Sequence, residues 1–351
     1  MAGCGMGFFS PALLLPNMLR WAKLRAPRLS DHRCVAVHDR LLLVGGFSNT
    51  ASTGLRLHEA DRAAAVAPAD RSGRGSAWRA LPPGAPADRG GHAVAVLCDT
   101  VLVHGGYGHG SVEGNLGDLW QRRPAADGTA AWSLLEPSSG VSPEARSGHT
   151  LSSLAPLDAE GHSCAAAELV LTCGFGQQAL DDVHILALSP ADNGAASWLR
   201  PRVVGPSPGP RCAHSAIATR CGGVVVFGGY SADGADAALC ILEVATARAA
   251  LETAQHGERS VIWTPLHAEP PPPLADDDKD EDEDDEGVFD LLPRSGHSAV
   301  LTSDDRMIVI GGTRSDGPQG ASTLGDVLSL DVSAEGLERA RRPDGGARCC
   351  I

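Results

Sequence analysis

Short apolar runs that end in small residues recur along this chain. The runs at 41–44, 101–104, 224–227 and 307–310 lead into Gly45-Gly46, Gly105-Gly106, Gly228-Gly229 and Gly311-Gly312. A further run, 169–172, ends in Cys173-Gly174, with one glycine lost. Runs this short, β-branched or leucine-rich and closed by glycine, predict strands rather than helices. Ahead of the runs stands an Arg-x-Gly-His element. It reads Arg89-Gly90-Gly91-His92, Arg146-Ser147-Gly148-His149 and Arg294-Ser295-Gly296-His297, with degraded forms at Arg211-Cys212-Ala213-His214 and at Arg33-Cys34. After the runs comes an aspartate followed by apolar residues, as in Asp118-Leu119-Trp120, Asp182-Val183-His184 and Asp326-Val327-Leu328.

Tryptophan completes the pattern. Trp21, Trp78, Trp132, Trp198 and Trp263 precede the five arginines by 12, 11, 14, 13 and 31 residues. The long last interval accommodates an insertion containing Pro270 to Pro273 and the acidic run 276–286. Each repeat therefore reads as four short antiparallel strands. Such a sheet cannot cover both of its faces alone, so the units must pack on one another. Radial packing into an all-β propeller does this and leaves only short, protected edges. A glycine pair at the end of the second strand permits close backbone approach, and tryptophan on the outer strand wedges between sheets.

These residues resemble the kelch family of β-propellers over roughly residues 18–333. The resemblance implies a kelch-type propeller of about five four-stranded blades, or six with one degenerate copy. It also implies a ring closed by an N-terminal outer strand at 19–24, which places Trp21 in the fold. Residues 1–17 are read as a tail, 270–288 as a disordered acidic loop inserted in the propeller, and 334–351 as a C-terminal tail. Residues 1–30 carry Arg20, Lys23, Arg25 and Arg28 and no acid, the composition of a transit peptide. A place for Trp21 in the fold argues against its removal. Seventeen residues leave no room for the BTB or F-box module that many relatives carry, so the reading is of a kelch-only protein.

Composition sharpens this. Gly (42) and Pro (24) together make many turns, while aromatics stand at only 4%, which excludes a helical bundle. The run 276–286 holds ten acids and one lysine, so it carries nine of the fourteen net negative charges and the remainder is nearly balanced. Charge at that density stays solvated. No basic footprint for nucleic acid and no apolar stretch long enough for a membrane span is present. The ten cysteines include no CxxC; Cys34, Cys98, Cys173 and Cys212 read as reduced, small apolar residues, which favours a cytoplasmic or nuclear setting.

In a four-stranded meander the residues after the glycine pairs and the Arg motifs fall on one rim. The post-glycine residues are Phe47, Tyr107, Phe175, Tyr230 and Thr313, which include both tyrosines of the chain. In kelch adaptors the motif arginines and the residues after the glycine pair contact the partner. The resemblance thus nominates Arg33, Arg89, Arg146, Arg211 and Arg294, with Phe47, Tyr107, Phe175 and Tyr230. Arginine forks suit an acidic motif and aromatics anchor interfaces. The competing reading turns these arginines, with His92, His149, His214 and His297, into bonds within the blades. If the arginine rim is free, the tethered acidic loop would act there as a competing pseudo-ligand.

The function expected is a monomeric interaction propeller, an adaptor or scaffold, without cofactor or metal. Galactose-oxidase chemistry needs tyrosine ligands that Tyr107 and Tyr230, in separate blades, do not supply. His104 and His109 flank one glycine turn, with Glu113 or Asp118 as a third ligand, but two histidines make a weak metal claim. The alternative is a small-molecule-modifying propeller similar to the plant specifier proteins.

Overall fold

The structure is a computed structural model. It describes residues 31–37, 40–47, 55–61, 78–81, 86–97, 99–108, 114–124, 129–138, 140–154, 168–189, 195–244, 259–269, 293–315, 320–342 and 347–350. Trp21 and the segment 19–24, the tail 1–17, His109, Glu113 and the acidic run lie outside the described residues.

Alternation of apolar residues builds five antiparallel sheets in chain order, the blades of a β-propeller. Blade 1 comprises Arg33–Val37, Arg40–Val44, Leu57–Asp61 and Arg79–Ala80. Blade 2 comprises Ala93–Leu97, Thr100–Gly108, Gly114–Pro124 and Ala130–Leu135. Blade 3 is Thr150–Ser153, Glu168–Phe175, Ala179–Ser189 and Ala195–Leu199. Blade 4 is Ser215–Ala218, Val224–Phe227, Leu239–Val244 and Ser260–Pro265, edged by the parallel strand Arg202–Val204. Blade 5 is Ser298–Leu301, Arg306–Ile310, Val327–Asp331 and Ala347–Cys350, edged by Ala268–Glu269. The first strands of successive blades lie side by side. Trp132, Trp198 and Trp263 lie on fourth strands, and Trp78 directly precedes one, as the spacing predicts.

The core is split among the junctions. Val94 packs toward blade 1 while Ala93 and Ala95 pack toward blade 3, the two-residue period of a strand with both faces covered. One apolar cluster joins blades 1 and 2, one blades 2 and 3, one blades 3 and 4, and one blades 4 and 5. The last includes Phe227, Met307 and Val309 with Leu337.

No equivalent cluster joins blade 5 to blade 1 among the described residues. Val300 and Ile310, on the face of blade 5 turned away from blade 4, are 52% and 37% exposed. The residues that precede the glycine pair in the other blades, Val44, His104, Thr172 and Phe227, are fully buried.

The end of the chain departs from expectation. The segment after 333, read as a tail, forms helix α1 (Ala334–Ala340), whose N-cap Ser333 accepts a hydrogen bond from the Gly336 amide. Its Leu337 and Ala340 are buried in the core of blades 4 and 5. Beyond it, Ala347–Cys350 pairs antiparallel with Val327–Asp331. A C-terminal strand thus lies beside the third strand of blade 5, while the segment 19–24 expected at that blade's outer edge lies outside the described residues. The physical reason is proximity: a helix docked on the last blade returns the chain to that blade's open edge.

A candidate partner-docking rim

The repeated motif first builds the junctions. Its third residue takes a left-handed conformation in every blade, with φ of 54° at Asp31, 59° at Gly91, 64° at Gly148, 53° at Ala213 and 66° at Gly296. That turn aims each amide at the preceding blade, where Gly91 N donates to Asp31 O, Gly148 N to Gly91 O, Ala213 N to Gly148 O and Gly296 N to Ala213 O. The glycine pair makes room for the motif histidines. A Cβ on Gly45, Gly105 or Gly228 would lie 2.4, 2.9 or 2.8 Å from the next blade's His92, His149 or His297 Cε1. A Cβ on Gly106 or Gly174 would strike the same blade's His92 or His149 Cβ at 2.7 or 2.8 Å.

The histidines are accordingly buried between blades. His149 Nε2 lies 2.9 Å from His104 Nδ1, His214 Nε2 lies 3.0 Å from Thr150 Oγ1, and His297 Nε2 lies 2.8 Å from Ser215 Oγ. Burial, reinforced by the charges of Arg146 and Arg211, pushes His104 and His214 down to about 3. Burial and Arg294 bring His297 to about 4. These rings are neutral hydrogen-bonding parts of the junctions at ordinary pH.

The arginines point inward. Arg89, Arg146, Arg211 and Arg294 are 0–1% exposed. Arg89 Nη1 and Nη2 donate to Asp118 Oδ1 and Oδ2 at 2.5 and 2.8 Å, and Nη1 also to Gly105 O at 3.0 Å. Arg146 repeats this with Asp182 (2.5 and 2.8 Å) and Cys173 O (2.9 Å), and Arg294 with Asp326 (2.9 and 2.6 Å) and Gly311 O (3.2 Å). Arg211 reaches Asp236 at 2.8 Å and Gly228 O at 2.8 Å. Partial burial alone would raise the Asp182 carboxyl, but the Arg146 fork and His184 outweigh it and hold it well below the usual carboxylate range. Each guanidinium is thus a buried strut across its own blade, its charge met by an aspartate and a glycine-turn carbonyl, while Nε of Arg89, Arg146 and Arg211 donates to the carbonyl two residues earlier. These four side chains are not presented to a partner, and their nomination is corrected accordingly. The reason is geometric, since an aspartate in or just before the third strand meets the motif arginine across the second.

Blade 1 is built differently. Arg33 pairs with Val44, the register place held by Ala93, Thr150, Ser215 and Ser298 after the motif histidine in the other blades. The motif histidine is therefore His32, and the arginine place falls on residue 29, outside the described residues, where the sequence has leucine. Arg33 is half-buried, and burial lowers its pKa against the raising effect of Asp31. Its charge bears on His92, His149 and His214 in three other blades. Arg56 holds the register place of Asp118, and donates to Gly46 O at 3.0 Å and to Asp88 Oδ2 at 2.9 Å.

The aromatics behave otherwise. Tyr107, Phe175 and Tyr230 are 48%, 45% and 52% exposed, whereas Phe47 is half-buried. Their backbones are held: Phe175 and Ser147 exchange hydrogen bonds of 2.8 and 3.0 Å, as do Tyr230 and Cys212 at 2.7 and 3.0 Å. Gly90 opposes Tyr107 in the same manner. The residue opposite each ring is small, so the rings stand clear of the surface on fixed supports. Asn115, paired with Tyr107, donates through Nδ2 to Phe175 O at 3.0 Å and thereby links the ring positions of blades 2 and 3.

No family model matches the chain. Residues of this chain align with an F-box/kelch-repeat protein of Arabidopsis thaliana, 28% identical over 232 residues, or 61% of this chain and 43% of the relative. The chain is a five-bladed β-propeller similar in sequence to that kelch-repeat protein. It spans less than half the length of that kelch relative. Among the described residues no helix is long and apolar enough to cross a membrane. The aspartate partners of the arginines were missed from the sequence, because Asp118, Asp182 and Asp326 follow the glycine turns at unequal distances and share only a register place, directly before the residue paired with the one that precedes the turn. Asp236 lies two residues before that register place, and only the structure reveals it.

Proposed function

We propose that this kelch propeller is a protein-interaction module, an adaptor or scaffold, whose partner docks on the rim carrying Phe47, Tyr107, Phe175 and Tyr230. One observation carries the reading: three large rings stand about half exposed at equivalent places in successive blades, on backbone held by paired hydrogen bonds. Rings fixed before binding lose little freedom when a partner arrives, which is what makes aromatic anchors effective. The presence of kelch repeats in a protein that also carries an F-box is in keeping with a docking role for the repeats. The arginines enter only as the frame that holds the rim, so the acidic loop loses the cationic surface it would have covered.

A benzophenone amino acid placed at Phe175 in cells tests this. Cross-linked partners are expected from position 175 and not from Leu134, which is similarly exposed on a fourth strand. The Tyr107→Ala/Tyr230→Ala variant should lose those cross-links while its melting temperature stays unchanged. Equal yields from 175 and 134 would sink the reading.

A further inference from the structure

The charges beside the exposed rings narrow the partner. Resting on the aromatic-rim reading, we infer that the rim takes a protein segment that presents lysine or arginine side chains. The motif arginines that would have drawn an acidic segment are buried and paired. The charges that remain beside the rings are acidic. Asp31 and Phe47 share the space over Gly90, where a Cβ would meet Phe47 Cε2 at 2.5 Å and Asp31 Cβ at 2.9 Å. Exposed Glu144 accepts a hydrogen bond from the Gln177 amide at 3.1 Å, two residues beyond Phe175. Asp233 stands exposed in the turn of the hairpin that Tyr230 opens.

Exposed Arg314 follows Thr313, in the blade without a post-glycine aromatic. The correlation has a chemical sense. A ring face attracts a cation with about 0.5–1 kcal/mol at an exposed site, and a neighbouring carboxylate adds a charge-assisted hydrogen bond. An acidic segment would instead meet like charges at Asp31, Glu144 and Asp233.

The test uses the full chain and two fluorescein-labelled decapeptides, one alternating Lys and Arg with Gly and Ser, the other with Glu in place of every cation. Anisotropy is read at low and at physiological salt. The net charge of −14 will attract any basic peptide. The informative variant is therefore Tyr107→Ala/Phe175→Ala/Tyr230→Ala, which preserves every charge. The basic peptide should bind wild type and weaken on the order of tenfold in that variant. It should weaken about threefold in Glu144→Gln/Asp233→Asn, and be retained by Tyr107→Phe/Tyr230→Phe, which keeps the ring faces. Equal binding of the basic peptide to wild type and to the alanine variant would overturn the inference. A Glu peptide that binds better, and is lost in the alanine variant, would overturn the cationic partner while leaving the rim reading intact.

Discussion

The junction between blades 4 and 5 and the face that blade 5 turns toward blade 1 are made from the same motif with opposite outcomes. At the first, Ile217 of blade 4 is 8% exposed, Phe227 is fully buried, and the His297 ring sits against Gly228. At the second, the equivalent residues Val300 and Ile310 stand open. A Cβ on Gly296 would meet nothing within 4 Å, and on Gly311 only Leu324 O at 3.4 Å. The sequence of blade 5 is no poorer in apolar residues, so the difference comes from the neighbour. A blade brings half of two junctions, and whether its second half is buried depends on what stands beside it. The arginine strut differs in kind, because it spans one blade and is complete in blade 5 without a following neighbour.

Three experiments press on this contrast. The largest effect belongs to the struts: Arg146→Ala and Arg294→Ala should each lower unfolding free energy by about 3–5 kcal/mol, because each leaves an aspartate and a turn carbonyl without their donor. Urea unfolding that finds the Arg294 loss much smaller than the Arg146 loss would show that the strut also depends on the next blade. A middle effect is expected from truncating the equivalent face positions. Ile217→Ala should cost about 2–4 kcal/mol and Val300→Ala less than about 0.5 kcal/mol. Comparable losses at the two would mean that the face of blade 5 is covered in solution. The smallest effect separates backbone strain from crowding. Gly148→Ala and Gly296→Ala share a left-handed φ and its cost of about 1–2 kcal/mol. Only at Gly148 would the new methyl lie 3.1 Å from Ala213 N, so thermal melts should place that variant lower.

What could be read before folding was what repeats locally. The glycine pairs, the histidines and the tryptophans sit within a strand or a turn, and the blade count follows from them. The arginine–aspartate strut was hidden because its two ends are about thirty residues apart and meet only through strand register: Arg89 with Asp118, Arg146 with Asp182. Arg33 was mistaken for a motif arginine because Asp31 stands where glycine normally marks the left-handed turn. The outer strand of blade 5 could not be anticipated either, since Ala347–Cys350 carries no tryptophan and reaches its place through α1. That helix was legible, with Ser333 placed to cap Ala334–Ala340 and Glu335 in its first turn.

The inward arginines have one more consequence. Since the arginine struts of blades 2 to 5 draw their charge pairing from inside each blade, the exposed rings after the glycine turns take no part in it. They can be exchanged as a set, by evolution or by design, and the rim rewritten for a new ligand while the scaffold stays as it is.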